Sequence, residues 1–488
     1  MRQAMDPQMK IGEVGISDVQ LDLASRDEIP QLLLGLQAVH GNRPARNKVF
    51  EILTGIVPKS VCPDRGRKGM NLWTILVLGT LRLACNWDFD KVREIANNHK
   101  TVRQMIGHAI LDDRAYALQT LKDNVQLLTP EILAQVGQIV VGLGHELIGE
   151  KARRLLGSCD SSVVETNVYF PTDVSLLWDA VRKTVLLAMQ IFGSMGSPAW
   201  RQGKHHLRKA KKLYRKAARL KRSSSQDPEK RKERDRLIVR AHEEYLELAE
   251  SLVGRIWGEL PSVQTSDAKI LGKVWLLENF LRHAERQIDH VRRRVVNGES
   301  VPHHEKVFSV FEEHTEWIVK GKTGVPVELG LNVCFLKDQF GFVLHHHVME
   351  RETDEKVAAP MVEETLKRFP ALAACSFDKG FHSPENQKRL PELLERVVLP
   401  RKGKLSAENR EIENSEEFRK SRRMHSAVES SIHALKNHGV DRCPDLGIHG
   451  FKRYVALAVV ARNIQILGAI LQKRELKKAR REQLPKAA

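Results

Sequence analysis

Apolar residues recur at helical spacing through the first third of the chain. From Met70 to Ala96 they are separated by three or four positions, which predicts amphipathic helices. Thr129 and Pro130 open the next apolar segment as an N-cap and a first-turn proline. No alternating strand pattern occurs here. We therefore predict an all-helical domain over residues 1–150 that binds DNA, dimerises or does both.

Near residue 153 the pattern changes from helices to strands. Residues 153–171 are rich in β-branched side chains and end at a proline, which predicts a buried strand followed by a hairpin. Later strand patterns alternate with helical ones; the strands fall at 325–349, 371–378 and 396–403, the helices at 356–369 and 383–394. This order predicts an α/β fold with a mixed sheet flanked by helices, formed by residues 151–172 and 300–470.

A basic helical segment, residues 173–299, interrupts this core. Between Arg201 and Arg222 there are eleven Lys or Arg and no acid. The Ser- and Pro-containing stretch at 223–228 then predicts a turn between two helices. A solvated helix face is one interpretation of the run; contact with DNA phosphates is the other, through Lys209, Lys211, Lys212, Arg215 and Lys216.

Composition narrows the partners and the compartment. The 488 residues, room for about three domains, carry a formal charge of +18. This charge favours a polyanion, either nucleic acid or a membrane surface, although a soluble basic enzyme fits too. The six cysteines form no C-x-x-C pair, and the N-terminus lacks a signal-peptide pattern. Polar residues interrupt the apolar run Tyr454–Leu471, which predicts a buried helix. We expect a protein of the reducing cytoplasm, associated with the nucleoid and not with a membrane.

Two aspartates follow apolar strand patterns. Asp160 comes after LLGSC and Asp378 after LAACSF. Parallel strands present side chains at their carboxyl ends, so the two aspartates would converge if the strands are neighbours. Taken singly, each also fits a turn or cap residue.

A third acid, Glu429, lies in a strongly helical segment. Val428, Ile432 and Leu435 form its buried stripe, and an adjacent polar stripe contains Arg422, His425, Glu429, His433 and Lys436. Three converging carboxylates stay ionised only with cations between them. Oxygen ligands without cysteine favour Mg²⁺ or Mn²⁺, and two such ions can promote attack on a phosphodiester.

Longer motifs around these acids resemble bacterial insertion-sequence DDE transposases. The similar text is GSCDSSVVETNVYFPTDVSLLWD, EWIVKGKTGVPVELG, CSFDKGFHSPEN and the segment from Met424 to Ile464, spanning roughly 150–470. Residues 70–108 resemble the leader domain of the same family. The resemblance implies a ribonuclease-H-like core in which Asp160, Asp378 and Glu429 are the catalytic, metal-binding acids.

Many relatives carry a Tyr-x2-Arg-x3-Glu-x6-Lys signature. Here Glu429 and Lys436 match it, whereas Arg422 and His425 occupy the tyrosine and arginine positions. This departure indicates a divergent subgroup, in which Arg422 and Lys436 are candidates for DNA contact. Residues 471–488 form a basic C-terminal tail.

The resemblance implies DNA strand cleavage and strand transfer at the ends of an insertion sequence. The expected cofactor is two Mg²⁺, for which Mn²⁺ can substitute. The expected partners are the terminal inverted repeats and target DNA, bound by a homodimer or larger complex because two ends must be joined. The alternatives are another ribonuclease-H-like nuclease and a domesticated, non-catalytic DNA-binding protein.

Overall fold

The computed structural model describes residues 2–5, 8–57, 69–320, 326–425 and 427–483; Cys62, Ser426 and the last five residues of the predicted tail lie outside them. The strands are β1 (Leu155–Thr166), β2 (Glu316–Val319), β3 (Val327–Lys337), β4 (Val343–Val348), β5 (Leu372–Phe377), β6 (Arg396–Val398) and β7 (Arg442–Cys443). The helices are α1 (Glu28–Gly41), α2 (Arg43–Thr54), α3 (Leu72–Ala84), α4 (Phe89–Asn98), α5 (Lys100–Met105), α6 (Leu118–Val125), α7 (Pro130–Ile148), α8 (Asp173–Ser194), α9 (Gly203–Arg219), α10 (Pro228–Glu259), α11 (Ala268–Val291), α12 (Asp354–Arg368), α13 (Pro384–Leu393), α14 (Ala407–Asn414), α15 (Glu416–His425), α16 (Ala427–Leu435) and α17 (Gly447–Gln483).

The chain divides into two compact units. The sheet unit comprises residues 1–167 and 322–488, and the insertion unit comprises residues 168–321. The sequence predicts a separate domain over residues 1–150, but these residues cluster with the sheet. The physical reason is α17, which packs against α1, α3 and α7 and joins the N-terminal helices to one hydrophobic core.

Helix α17 contains the apolar run Tyr454–Leu471, whose burial the sequence predicts. Val455, Ile464 and Leu467 are fully buried. By length and composition, α17 and the helix that begins at Pro130 could each cross a membrane, but 72% of the most apolar window of α17 is buried inside the protein. Glycine allows α1 to approach closely, because a Cβ at Gly468 would lie 2.0 Å from the Gln31 carbonyl oxygen.

A mixed sheet forms the centre of the sheet unit. Strand β3 pairs antiparallel with both β4 and β1, whereas β1, β5 and β6 run parallel to one another. The short β7 pairs with the far end of β1. Helices cover this sheet, so the predicted α/β class with a mixed sheet is confirmed.

Strand β1 is longer than the sequence pattern indicates. It continues through Asp160 to Thr166, and its antiparallel partner is β3, so the hairpin predicted after Asp160 is wrong. The chain pairs with a strand that follows the insertion unit in sequence, and no local turn signal could reveal such a long-range contact. Glu165 instead forms an ion pair with Arg442 at 2.6 Å, beside the pairing of β1 with β7.

Helices build the core of the insertion unit. Helices α8 and α11 pack together, and α9 packs against α8 and α10. The core includes Leu177, Tyr245 and Leu281. As predicted, α9 and α10 are separate helices, and Asp227 caps the start of α10 by accepting a hydrogen bond from the Glu229 amide.

Candidate active site and cationic groove

The sheet register brings Asp160 and Asp378 together. Cys159 pairs with Phe377 at the end of the contact between β1 and β5. Asp160 and Asp378 are the next residues on these parallel strands, and neighbouring strands lie about 4.8 Å apart. Asp378 ends its strand as predicted, whereas Asp160 lies inside β1, at the point where its parallel partner stops.

Glu429 reaches this region from a helix over one face of the sheet. Val428, Ile432 and Leu435 of α16 are buried as predicted, which leaves Glu429 exposed. Helix α16 packs on β1, and α15 packs on β5 and β6. The hydrogen bond between Ser158 and Ser376 and the 3.0 Å approach of His425 Nδ1 to Ser376 Oγ place the face of β1 that carries Ser158 and Asp160 under these helices.

The acids interact electrostatically. Burial raises the pKa of Asp160 to about 6, the Ser161 amide opposes the shift by donating to Oδ1 at 2.8 Å, and the charges of Asp378, Asp354 and Glu429 add to it. Each nearby negative charge makes ionisation of Asp160 less favourable. The three acids predicted from the sequence therefore act on one another in the folded chain.

Asp354 is a fourth carboxylate that the sequence analysis missed. It is the first residue of α12, where an acid usually indicates a favourable helix start. Burial raises its pKa; a hydrogen bond from the Ser161 side chain lowers it, and the charge of Asp378 raises it. Its Oδ1 atom is buried without a hydrogen-bond partner. The helical pattern after the β4 hairpin was the available signal, but only the fold shows that this helix begins beside Asp160.

Gly380 lies close to the Asp354 carboxylate. A Cβ at Gly380 would lie 2.8 Å from Asp354 Oδ2. Lys402, from the loop after β6, donates to the Gly380 carbonyl at 2.9 Å and lies 3.6 Å from Glu355. The positive charge of Lys402 therefore lies near Asp354.

A small cavity lies on the α15 side of the sheet. It has a volume of about 170 Å³, and its lining includes Ser158, Lys337, Ser376, Arg396 and Ser421. Lys337 is buried and donates to Ser431 Oγ at 2.9 Å. Burial lowers the pKa of Lys337 and also that of His425. Each side chain is thus held by a hydrogen bond, and His425 lies near the charges of Asp378 and Glu429.

The other predicted DNA contacts on this stretch differ in their surroundings. Arg422 of α15 is exposed. Lys436 is half-buried in a π-helical turn and lies 3.6 Å from Asp441. The sequence predicts that Arg422, His425, Glu429, His433 and Lys436 share a polar stripe on one helix. This stretch contains residue 426, which lies outside the described residues.

No group of three or more His, Cys, Asp or Glu side chains is close enough to hold a metal ion as it stands, within the described ranges. The donor set nevertheless has the oxygen chemistry that Mg²⁺ and Mn²⁺ prefer. The buried, unpartnered Asp354 oxygen adds one ligand atom without a hydrogen bond to lose.

A cationic groove lies between α9 and α10 of the insertion unit. Ala210 and Ala217 form the buried side of α9, and Trp178 stacks on Tyr214 at 5.7 Å. This packing leaves the five predicted DNA contacts exposed: Lys209, Lys211, Lys212, Arg215 and Lys216. They line a groove of about 1090 Å³ with Arg208, Arg219 and Arg240, and Glu244 is the acid in its wall.

Glu244 neutralises little of this charge. It lies 2.6 Å from Lys216 and 3.6 Å from Arg240. No ion pair of Lys209, Lys211 or Lys212 occurs in the part of the chain that the structure describes. The groove is therefore a large, solvent-accessible surface of unneutralised positive charge.

Comparisons with protein families, curated proteins and solved structures each give no match to this chain.

Proposed function

We propose that this protein is a DDE transposase with a ribonuclease-H-like core. The observation that carries the proposal is the interaction of Asp160 with Asp378, Asp354 and Glu429. These acids come from a central strand, its parallel neighbour and helices packed on the sheet. The mixed sheet, with three antiparallel strands continued by parallel ones, supports the ribonuclease-H-like assignment.

The carboxylate oxygens of these acids have the chemistry that two Mg²⁺ ions would require. Asp160, Asp378 and Glu429 would hold the ions. Bound there, the ions would activate the attacking oxygen and stabilise the leaving oxygen of a phosphodiester. Bound cations would favour the ionised form of Asp160, whose pKa is raised first by burial and then by the neighbouring negative charges.

The protein's own side chains would position the DNA. Lys402 borders the acids and can turn toward a phosphate oxygen, because its side chain is partly exposed. Ser161 fixes Asp354 from β1, and Ser376 holds the His425 ring. These contacts would restrict the motion of Asp354 and His425. Less conformational entropy would then be lost when the phosphate is positioned for reaction.

The groove on the insertion unit would hold the transposon end. Lysines and arginines on duplex phosphates give affinity without sequence information. Each neutralised phosphate releases counterions, so binding weakens as salt rises. A homodimer or larger assembly would hold the two ends that strand transfer joins.

The test is cleavage of a labelled duplex that carries the inverted repeat flanking the gene. We expect Mg²⁺- or Mn²⁺-dependent nicking that exposes a 3′-hydroxyl, followed by its transfer to a second duplex. Asp160→Asn and Asp378→Asn should each lower nicking by roughly 10²–10³-fold or more, while duplex affinity stays unchanged. Glu411→Gln, an exposed acid of α14, is the matched control.

Two other outcomes would replace the proposal. Metal-dependent nicking of any duplex without strand transfer would assign a ribonuclease-H-like nuclease. Tight binding of the repeat without nicking, unaffected by both substitutions, would assign a non-catalytic DNA-binding protein.

A further inference from the structure

The last turns of α17 extend beyond the hydrophobic core as a cationic arm. Residues 473–481, the C-terminal arm, are all exposed, whereas the residues before Gly468 pack in the sheet unit. Gln472 fixes the base of the arm by donating to the Leu23 carbonyl at 2.8 Å and accepting from Gln31 at 3.0 Å. Arg474 also donates to the Leu147 carbonyl. The arm therefore begins on an anchored helix.

Positive charge in the arm is concentrated on one side. The arm contains six cations and one acid: Lys473, Arg474, Lys477, Lys478, Arg480, Arg481 and Glu475. At about 100° per residue the cations fall within a sector of about 160°, whereas Glu475, Leu476 and Ala479 lie opposite. Charge added only for solubility needs no such segregation.

The cationic side is also unneutralised. Where residues are described, none of the six cations forms an ion pair. Cations three and four positions apart repel one another, which destabilises an isolated helix. Favourable interaction with the helix C-terminus offsets part of this repulsion. A polyanion bound along the sector would remove the remainder.

We propose that the cationic side of the C-terminal arm binds the phosphate backbone of duplex DNA. Nine helical residues span about 14 Å, which matches about four phosphates of one strand at 3.4 Å spacing. The arm belongs to the same unit as the carboxylate sheet. It thus supplies a DNA contact that is independent of the α9–α10 groove. The identity of the polyanion rests on the proposed function.

A charge-conserving variant of the full chain tests whether DNA binding depends on having the cations on one side of the helix. Leu476→Lys with Lys477→Leu, and Lys478→Ala with Ala479→Lys, keep the composition and the net charge. They move two cations to the opposite side of the helix. We expect the slope of log affinity against log salt for a duplex to fall by about two units, with an unchanged melting temperature because all four positions are exposed.

A neutralised variant sets the scale. Changing Lys473, Lys477, Lys478, Arg480 and Arg481 to Gln should flatten the slope by about four units. Five dispersed, exposed cations of the sheet unit are the matched control, each changed to Gln: Arg43, Lys48, Lys100, Lys151 and Lys388. This control removes the same charge and should change the slope by less than about one unit.

Three results would overturn the proposal. The first is a wild-type slope in the charge-conserving variant, which would mean that only net charge matters. The second is equal slopes for the neutralised variant and the dispersed control. The third is arm-dependent binding to anionic phospholipid vesicles without an arm-dependent effect on duplex binding. If wild-type protein cleaves its repeat but any of these occurs, the arm proposal fails and the proposed function stands; failure of wild-type protein to bind duplex at all removes the proposed function.

Discussion

The two charged regions of this molecule differ in how the fold holds like charges together. The carboxylates around Asp160 are brought close by sheet register and helix packing, and burial together with mutual repulsion raises the pKa of Asp160 to about 6. The cations of the α9–α10 groove remain exposed on a helix face, where water screens them.

Under the proposed function, the acids serve DNA cleavage and the cations of the groove serve DNA affinity. Carboxylates that the fold holds together could position ions and reacting oxygens, and their mutual repulsion destabilises the fold. Exposed cations can attract a phosphate backbone and adapt to it, but they cannot fix a reacting atom. We therefore expect changes in the acids to alter cleavage and stability, and changes in the groove to alter binding.

The largest effect should come from the groove. Changing Lys209, Lys211, Lys212, Arg215 and Lys216 to Gln should flatten the salt dependence of duplex affinity by about four units, slightly less if Glu244 already compensates Lys216. A terminal repeat and a random duplex should lose affinity alike. Binding to both duplexes would be measured across a salt series, beside the five-residue dispersed control. Equal slopes for the two variants would show that the groove does not bind the duplex.

Asp354 tests whether the acidic region extends beyond the three acids predicted from the sequence. Asp354→Asn should lower cleavage about 10–100-fold and leave duplex affinity unchanged. It should also reduce the rise in melting temperature that Mn²⁺ causes, because one oxygen ligand is lost. Glu355→Gln, the exposed neighbour, is the matched control. Identical behaviour of the two variants would show that Asp354 only stabilises the start of α12.

The burial of Asp160 beside other acids predicts a pH dependence of stability. The pKa of Asp160 is higher in the folded chain than its ordinary value of 3.8, so the free energy of unfolding should fall as pH rises from about 4 to about 6. Asp160→Asn should remove this loss and raise stability near pH 7 by about 1–3 kcal/mol. Denaturant titrations at pH 4, 6 and 7.5 measure it. Parallel curves for the wild type and the variant would show that the pKa of Asp160 is not raised in the folded chain.

Lys436 gives the smallest expected effect. If its ammonium contacts a phosphate, Lys436→Ala should lower cleavage a few-fold while Asp441→Ala does not. If the ion pair with Asp441 matters only for structure, the two substitutions should have equal effects. Single-turnover cleavage rates, with melting temperatures as a check on folding, distinguish these outcomes.

Local patterns predicted much of the secondary structure. The apolar spacing of α17, the N-cap at Thr129 and the helix start at Ser383 all depend on neighbours in sequence, and the structure bears them out. Asp160 and Asp378 could be proposed as site residues because each follows an apolar strand pattern. Their adjacency depends on the pairing of β1 with β5, which periodicity does not contain.

Long-range contacts account for what the sequence did not predict. The full length of β1 depends on β3, which follows the whole insertion unit in sequence. The position of Asp354 depends on where α12 begins relative to β1. The association of residues 1–150 with the sheet unit depends on helix packing against α17, which begins about 300 residues later in the sequence.

The most direct test of the central claim is a ligand exchange at Asp378. A thiolate binds Mg²⁺ poorly and softer divalent ions better, so Asp378→Cys should abolish nicking with Mg²⁺ and recover a measurable fraction of it with Mn²⁺ or Cd²⁺. Asp378→Ser, which removes the charge at similar volume, should stay inactive with every ion. Recovery in Asp378→Cys alone is the result that the account predicts. Full activity of Asp378→Cys with Mg²⁺, or inactivity with all three ions while the wild type remains active with each of them, would contradict a metal-binding role for Asp378.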